Sequence, residues 1–329
     1  MTTIKDVAQY ANVSVATVSR YLNEKGYISD QAKQQIQMAI DALQYKPNHI
    51  ARSLSKKQSK LIGLIVPDIQ NPYFPQLARA IEDTARQFGY TVILCNSDGQ
   101  AEKEQHYLES LSQHYVAGLL VATTNSNPSI YKNVNIPVVA IDREIHASIP
   151  TVVADNFGGA YKAAQHLIEA NAQNILCVRG PLLVSTADQR EAGFYEAVQN
   201  NEALQVRTII TKFDFQEATK AIRHILEQDP TIDSIFASSD TIAIAALKVI
   251  QSMNKKVPED IQVIGFDGID LGMMVSPELT TICQDIYTIG KEATEMLLKQ
   301  IDGEAMKQQT VIVDTKLIVR ETTRKERTT

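Results

Sequence analysis

Apolar residues at the start of the chain recur at helical spacing. Ile4, Val7, Ala8 and Ala11 line one face of a first short helix. Asn12 suits a left-handed turn, and Val13 can plug the corner after it. Ser14 stands where a cap begins a second helix, with Val15, Val18 and Leu22 as its buried stripe and Val15 near the edge. Ala16, Thr17, Ser19, Arg20 and Asn23 are left facing outward. Ser29 caps a third helix, whose apolar face is Ala32, Ile36, Ala39, Ile40 and Leu43. The pattern predicts a three-helix, helix-turn-helix headpiece over residues 1–46. Pro47 ends the third helix, and Asn48–Leu54 is too short to be a stable helix alone. With the polar, basic stretch Ser55–Lys60 it forms a hinge helix and linker, 47–60.

The period changes at residue 61. Continuous apolar strands at Leu61–Pro67, Thr91–Leu94, Gly118–Ala122 and Val138–Ala140 are separated by helices 75–88 and 101–114, with helix 158–170 following. A second series has strands Ile175–Val178, Val206–Ile210, Ser234–Ala237 and Gln262–Phe266, with helices 188–200, 216–228 and 241–253. Unbroken apolar strands between amphipathic helices predict parallel sheets covered on both faces. The expected core, 61–329, is α/β, with two doubly wound parallel-sheet subdomains facing a cleft. The first takes 61–160 and 288–322, the second 161–287. Helix 288–301, with Ile289, Ala293, Met296, Leu297 and Ile301, reads as core.

Charge separates the two parts. The chain carries −6 overall, but residues 1–60 hold nine Lys/Arg against four acids, so a head of +5 precedes a body of −11. A cationic head on an anionic body predicts that the head alone meets an anion. Cys95, Cys177 and Cys283 are an odd, scattered set in apolar contexts. Buried thiols in a reducing cytoplasm are expected, rather than a metal site or disulfides. No apolar run reaches membrane-span length and no secretory leader pattern opens the chain, so a cytoplasmic protein with no membrane contact is expected.

In open α/β sheets, ligands bind beyond the carboxyl ends of the strands. Those ends carry Asn71, Tyr73 and Phe74; Asp142 and Arg143; Arg190; Phe215; Ser239 and Asp240; Asp267; and Gln284, which a segment recrossing between subdomains brings in. Carboxylates, amides, arginines and rings suit a polyhydroxylated ligand: acids take vicinal hydroxyls, and rings cover the C–H face. Competing roles stand beside these. Asp240 precedes a helix and could be its N-cap, Tyr73 could be rim or core, Arg143 could be a surface residue, and Arg190 could by composition alone be a solvated helix residue. Asp155-Asn156 reads as a helix cap and is left outside the site. The six histidines, His49, His106, His114, His146, His166 and His224, read as scattered and solvated. No nucleophile elbow, phosphate-binding glycine loop or metal-ligand spacing is found, so an enzyme is not expected.

Thr3-Ile4-Lys5-Asp6-Val7-Ala8, Val13-Ser14 with Ala16-Thr17-Val18-Ser19-Arg20, and Tyr45-Lys46-Pro47-Asn48 with Ala51-Arg52-Ser53-Leu54 resemble the headpiece of the lactose/galactose repressor family. Three motif blocks in order are highly specific, and the likeness runs on through a periplasmic-binding-protein-like core. The resemblance implies a homodimer that sets two recognition helices in successive major grooves of a palindromic operator. It also implies paired hinge helices in the central minor groove. Ser14, Val15, Ala16, Thr17, Ser19, Arg20, Asn23, Asn48, Arg52 and Leu54 are the candidate DNA contacts. Arg20 can read a guanine bidentately, while Thr17 and Ser19 suit phosphates. Ser14 serves as cap, phosphate contact or both. Leu54 matches the family's wedge, which kinks the duplex at an easily unstacked central step, CG or similar; packing on the body is its alternative role.

Asn71, Phe74, Asp142, Arg190, Phe215, Asp267 and Gln284 look like the set of ribose-binding proteins and ribose-operon repressors. Ser239 departs from it, since asparagine is usual there. No cofactor is implied, only a small effector: a pentose such as ribose leads, with another sugar or a purine as alternatives. The expected function is an effector-controlled repressor of a sugar operon, relieved by its sugar. The rival within the family is a carbon-catabolite regulator governed by a phosphorylated phosphocarrier protein. The C-terminal Arg320–Thr329 has no leucine heptads, so a dimer is expected.

Overall fold

The computed structural model describes residues 2–22, 26–45, 59–123, 128–131, 134–304 and 309–324. They divide into two units, Met1–Ser59 and Lys60–Thr329.

The first unit is built from α1 (Ile4–Tyr10), α2 (Val15–Leu22) and α3 (Asp30–Ala42). A capping box starts α1: the Thr3 hydroxyl accepts the Asp6 N–H, and the Asp6 carboxylate accepts the Thr3 N–H at 2.7 Å. Asn12 takes φ of 53°, the left-handed turn its short side chain tolerates. The Ser14 Oγ accepts the Thr17 N–H at 3.1 Å and so caps α2, as Ser29 caps α3. Val7, Ala8, Ala11, Val18, Ile36, Ala39 and Tyr45 form a small core, sealed by Val13, Tyr21 and Leu22. The Tyr21 hydroxyl ties α2 to α3 by donating to Gln37 at 2.8 Å. Val15, expected near the edge of the buried stripe, is 40% exposed, while Val13 and Tyr21 pack against the core.

The second unit holds two six-stranded sheets. The first contains β1 (Leu61–Val66), β2 (Thr91–Asn96), β3 (Gly118–Val121), β4 (Val138–Ile141), β5 (Thr151–Ala154) and β11 (Thr310–Val313) in the order β11-β5-β4-β3-β1-β2, all parallel. The second contains β6 (Asn174–Arg179), β7 (Gln205–Ile210), β8 (Ser234–Ala237), β9 (Gln262–Asp267), β10 (Thr280–Gln284) and β12 (Thr315–Ile318) in the order β12-β10-β9-β8-β6-β7, antiparallel only at β10–β12. Each is the doubly wound order in which the chain, after its second strand, crosses back to set the third on the other side of the first. Helices cover both faces, with Leu64, Leu77, Leu120 and Leu297 under one side of the first sheet and Leu176, Ile222, Ile235 and Ile250 under one side of the second.

The chain crosses between these lobes three times, and this moves the expected subdomain limits. After β5, helix Asn156–Glu169 already packs against β9, β10, β12 and helix Ser185–Val198 of the second lobe, so 156–160 belong there rather than in the first. After β10, helix Ile286–Ile301 returns to pack on helix Tyr73–Gln87 and on β3, β4 and β5. β11 joins the first sheet, but β12, only Asp314 away, joins the second, so 315–318 leave the first subdomain where they were expected. Cys95 and Cys177 are buried, and Cys283 is half-buried. His166 corrects the solvated reading: it is buried, its Nε2 2.8 Å from the Thr323 hydroxyl. Among the described residues, no helix is long and apolar enough to cross a membrane.

Candidate functional site

Two surfaces carry chemistry, one in each unit. On α2, Val15, Ala16 and Arg20 are exposed, and Thr17 and Ser19 are half-buried at its side. The Ser14 Oγ lies 2.8 Å from the Thr17 hydroxyl as well as accepting its N–H, so Ser14 is committed to starting the helix. The exposed face thus presents two methyl-bearing side chains at its N-terminal end and one guanidinium a turn later. Asn23, Asn48, Arg52 and Leu54, with the whole hinge 47–54, lie outside the described residues.

The second surface is a cavity of about 480 Å³ at the switch points of the two sheets, where the strand order reverses. The turn after β1 brings Pro67, Asp68, Asn71, Tyr73 and Phe74; the end of β3 brings Ala122 and Thr123; and β4 delivers Asp142 and Arg143. Across from them stand Leu182, Val184, Thr186, Arg190, Lys212, Phe213 and Asp267. Tyr73 and Phe74 meet edge to face, 5.2 Å between ring centres.

At its base lies a buried ion pair. Arg190 Nη1 donates to Asp267 Oδ1 at 3.0 Å and to the Ser238 carbonyl at 2.6 Å. Its Nε donates to Asn156 Oδ1 at 2.8 Å, and its guanidinium lies 3.9 Å over the Phe266 ring. Gln284 Nε2 donates to the same Asp267 oxygen at 2.7 Å. Asp142 and Asp267 both sit at positive φ, 72° and 122°, a strained backbone that persists where the surroundings over-determine it. Gly268 follows at φ of 77°, and a Cβ there would run into Cys283. Burial pushes the Asp267 carboxyl above the ordinary carboxylate range; Arg190 opposes this and the Asp142 charge adds to it. Burial raises Asp142 too, against the pull of Arg143 and Arg190. The Tyr73 phenol is raised by burial and by both carboxylates, so it stays a donor. The Tyr73 hydroxyl and Arg143 Nε are buried with no partner among the described residues, and both residues line the cavity. Unpaired buried polar atoms are costly.

The structure brings Asn71, Tyr73, Phe74, Asp142, Arg143, Arg190 and Asp267 together as expected. Four expected residues are elsewhere. Phe215 is the first residue of helix Phe215–Gln228 and faces an outer groove with Ile244, Leu247 and Val275; Phe213 takes its place in the cleft. The pattern Asp214…Glu217 marks a helix cap and would have put Phe215 in the helix. Gly180 makes room for Phe213, whose ring a Cβ would strike. Ser239 caps helix Asp240–Ser252, its Oγ accepting the Ile242 N–H. Asp240 is neither the cap nor a wall residue: it accepts the N–H groups of Gly268 and Ile269 at 2.7 and 2.8 Å and the Thr281 hydroxyl at 2.6 Å. It thereby holds the turn after Asp267. Gln284 acts through Asp267 rather than on the cavity. Asn156, left outside the site, is the partner of Arg190. Asp68, Asp98, Thr123 and Lys212 line the cavity without having been expected.

Comparison with known proteins covers both units. Residues 3–48 match the family profile described as bacterial regulatory proteins, lacI family, and residues 59–321 match that of periplasmic binding proteins and sugar binding domain of LacI family. The chain is 48% identical over 324 residues to the ribose operon repressor of Halalkalibacterium halodurans, covering 98% of each. Among solved structures, the lac repressor dimer bound to operator and the anti-inducer ONPF is 25% identical, with a TM-score of 0.89 over 98% of this chain and 99% of that one. A LacI family transcriptional regulator from Enterococcus faecium with bound ribose is 28% identical, with a TM-score of 0.74 over 80% of this chain and 98% of that one.

Proposed function

Because the chain belongs to the lacI family of bacterial regulatory proteins, we propose that it is a DNA-binding repressor of a ribose operon, released from its operator by ribose. It is a regulator and not an enzyme. The observation that carries the effector assignment is the base of the cleft. The buried carboxylate of Asp267, the half-buried one of Asp142, two guanidinium groups and a phenol with no partner among the described residues surround a cavity walled by Phe74 and Phe213. Carboxylates accept vicinal hydroxyls, Arg143 and Arg190 donate to ring or hydroxyl oxygens, and the rings cover the C–H face. No cofactor enters this reading. Ribose bound in the Enterococcus faecium relative and the naming of the Halalkalibacterium halodurans repressor support the choice of pentose.

The working unit is a homodimer on palindromic DNA, in the cytoplasm and on the nucleoid when bound. The dimeric lac repressor supports this, as does an apolar groove of about 330 Å³ lined by Phe215, Ile244, Leu247, Val275 and Pro277, with Met273 and Met274 exposed nearby. Sugar bridging the lobes favours their closed arrangement and changes the spacing of the first lobes across the dimer. That spacing sets the stability of the paired segments 47–54 on DNA. Effector and operator then oppose each other reciprocally, with a coupling of about 1–3 kcal/mol.

The test is a fluorescence-anisotropy titration of a palindromic duplex, selected by the dimer from a random pool, with increasing D-ribose. Operator affinity should fall by roughly 5- to 150-fold at saturating sugar. A rise, or no change across pentoses, refutes induction by ribose. A response only when a phosphorylated carrier protein is added assigns the control to that partner instead.

A further inference from the structure

Behind the first-lobe wall of the cleft lies a carboxylate that the sugar cannot reach. Glu104, on helix Ala101–Gln113, has no solvent exposure. Its Oε2 accepts the hydroxyl of Thr123 and its Oε1 that of Tyr131. Both acceptor oxygens are engaged, as burial of a carboxylate demands. The hydroxyls come from different elements: Thr123 just beyond β3, and Tyr131 from the 3₁₀ turn Pro128–Tyr131. Its charge also acts on Arg143, which stands next to Asp142 at the end of β4. Thr123 and Arg143 line the cavity; Glu104 and Tyr131 do not. Arg143 is 8% exposed, and its Nε has no partner among the described residues.

We propose that Glu104 is a positioning residue for effector binding: by accepting the hydroxyls of Thr123 and Tyr131 it fixes one cleft wall and holds Thr123 where it lines the cavity. The inference deepens the sugar-binding reading and rests on it. Tyr131 contributes as a donor, since burial and the Glu104 charge keep its phenol protonated. Glutamine at 104 retains the size but has one acceptor oxygen in place of two and carries no charge toward Arg143.

The experiment is a double-mutant cycle on the full-length chain, with D-ribose binding measured by calorimetry in the absence of DNA. Glu104→Gln should weaken D-ribose by about tenfold, the scale of one hydrogen bond to a charged group. Thr123→Val should weaken it by at least as much. The double variant should bind like Thr123→Val alone, because Glu104 acts through that side chain. If the two losses multiply, Glu104 is a packing residue and the proposal fails. Equal binding by wild type and Glu104→Gln also overturns it. Should Glu104→Gln lower the melting temperature below the assay range, Tyr131→Phe replaces it in the same cycle with the same expected non-additivity. A wild-type chain that ignores D-ribose refutes the effector reading, which is a different failure from a wild type and Glu104→Gln that bind alike.

Discussion

Replacing Asp267 by asparagine keeps the shape of the residue and one acceptor oxygen but removes the charge. Arg190 then has only neutral acceptors, Asn156 Oδ1 at 2.8 Å and the Ser238 carbonyl at 2.6 Å. Both members of the pair are nearly sealed from water, with side-chain exposures of 4% for Arg190 and 8% for Asp267. Deleting one partner of a buried pair costs about 3–5 kcal/mol; the retained acceptor puts Asp267→Asn at the lower end, ~3 kcal/mol. For a core of this size, that lowers the melting temperature by about 6–12 °C. The effect on sugar is separable. One hydroxyl donating to an ionised carboxylate contributes about 1.5–3 kcal/mol, so the half-saturating D-ribose concentration should rise by about 10- to about 150-fold. Operator affinity without sugar should be unchanged, because the headpiece is a separate unit. Anisotropy of a labelled operator, titrated with D-ribose for wild type and variant, reads both quantities. An unaltered half-saturation point removes Asp267 from the site. A variant that melts normally shows that the Arg190 pair contributes little, and the energetic reasoning fails.

Phe213→Ala should weaken D-ribose by about tenfold through lost ring contact, while Phe215→Ala should leave the sugar affinity within about twofold and weaken self-association in sedimentation velocity; the reverse assignment would restore Phe215 to the cleft. Burial raises Asp142 and Asp267 above the ordinary aspartate value of 3.8, so the ligand-free core holds protons that its unfolded chain releases. The stability these groups give is full below that ordinary value and is lost as pH rises through their folded values. Sugar hydroxyls favour the ionised form, so D-ribose should bind tighter from about pH 5 to about pH 7.5 with proton release, which calorimetry in two buffers of unlike ionisation enthalpy detects. Proton uptake would contradict this. Arg20→Ala should cost about 1–3 kcal/mol at one base pair of each half-site and relax selectivity there; a uniform loss over all duplexes would make Arg20 a phosphate contact. Leu54→Ala should reduce operator bending in a gel-phasing assay, and undiminished bending would end the wedge assignment.

Periodicity alone determined the larger part of this protein. The turn at Asn12, the caps at Ser14 and Ser29 and the apolar stripes of α1 and α3 depend on contacts within a few residues, so they are written locally. The unbroken apolar runs of β1, β6 and β9 announce parallel strands, and the polar residues beyond β4 and β9 announce Asp142 and Asp267 as a site, which the family resemblance extends to Arg190. What was not legible depended on partners distant in the chain. The stretch 288–322 reads as part of one subdomain, yet at Asp314 it divides between two sheets. Phe213 and Phe215 are equivalent by composition; the Asp214 cap turns one into the cleft and the other onto the outer surface. Asp240 looks like a ligand or a cap until the chain folds back and places Gly268, Ile269 and Thr281 around its carboxylate. Glu104 gave no signal at all, because an acid on an amphipathic helix reads as solvated until the fold sets the Thr123 and Tyr131 hydroxyls against it. Short-range hydrogen bonding and side-chain period specify elements, while only the packed tertiary structure decides which polar group is left facing the cavity and which is consumed in holding it open.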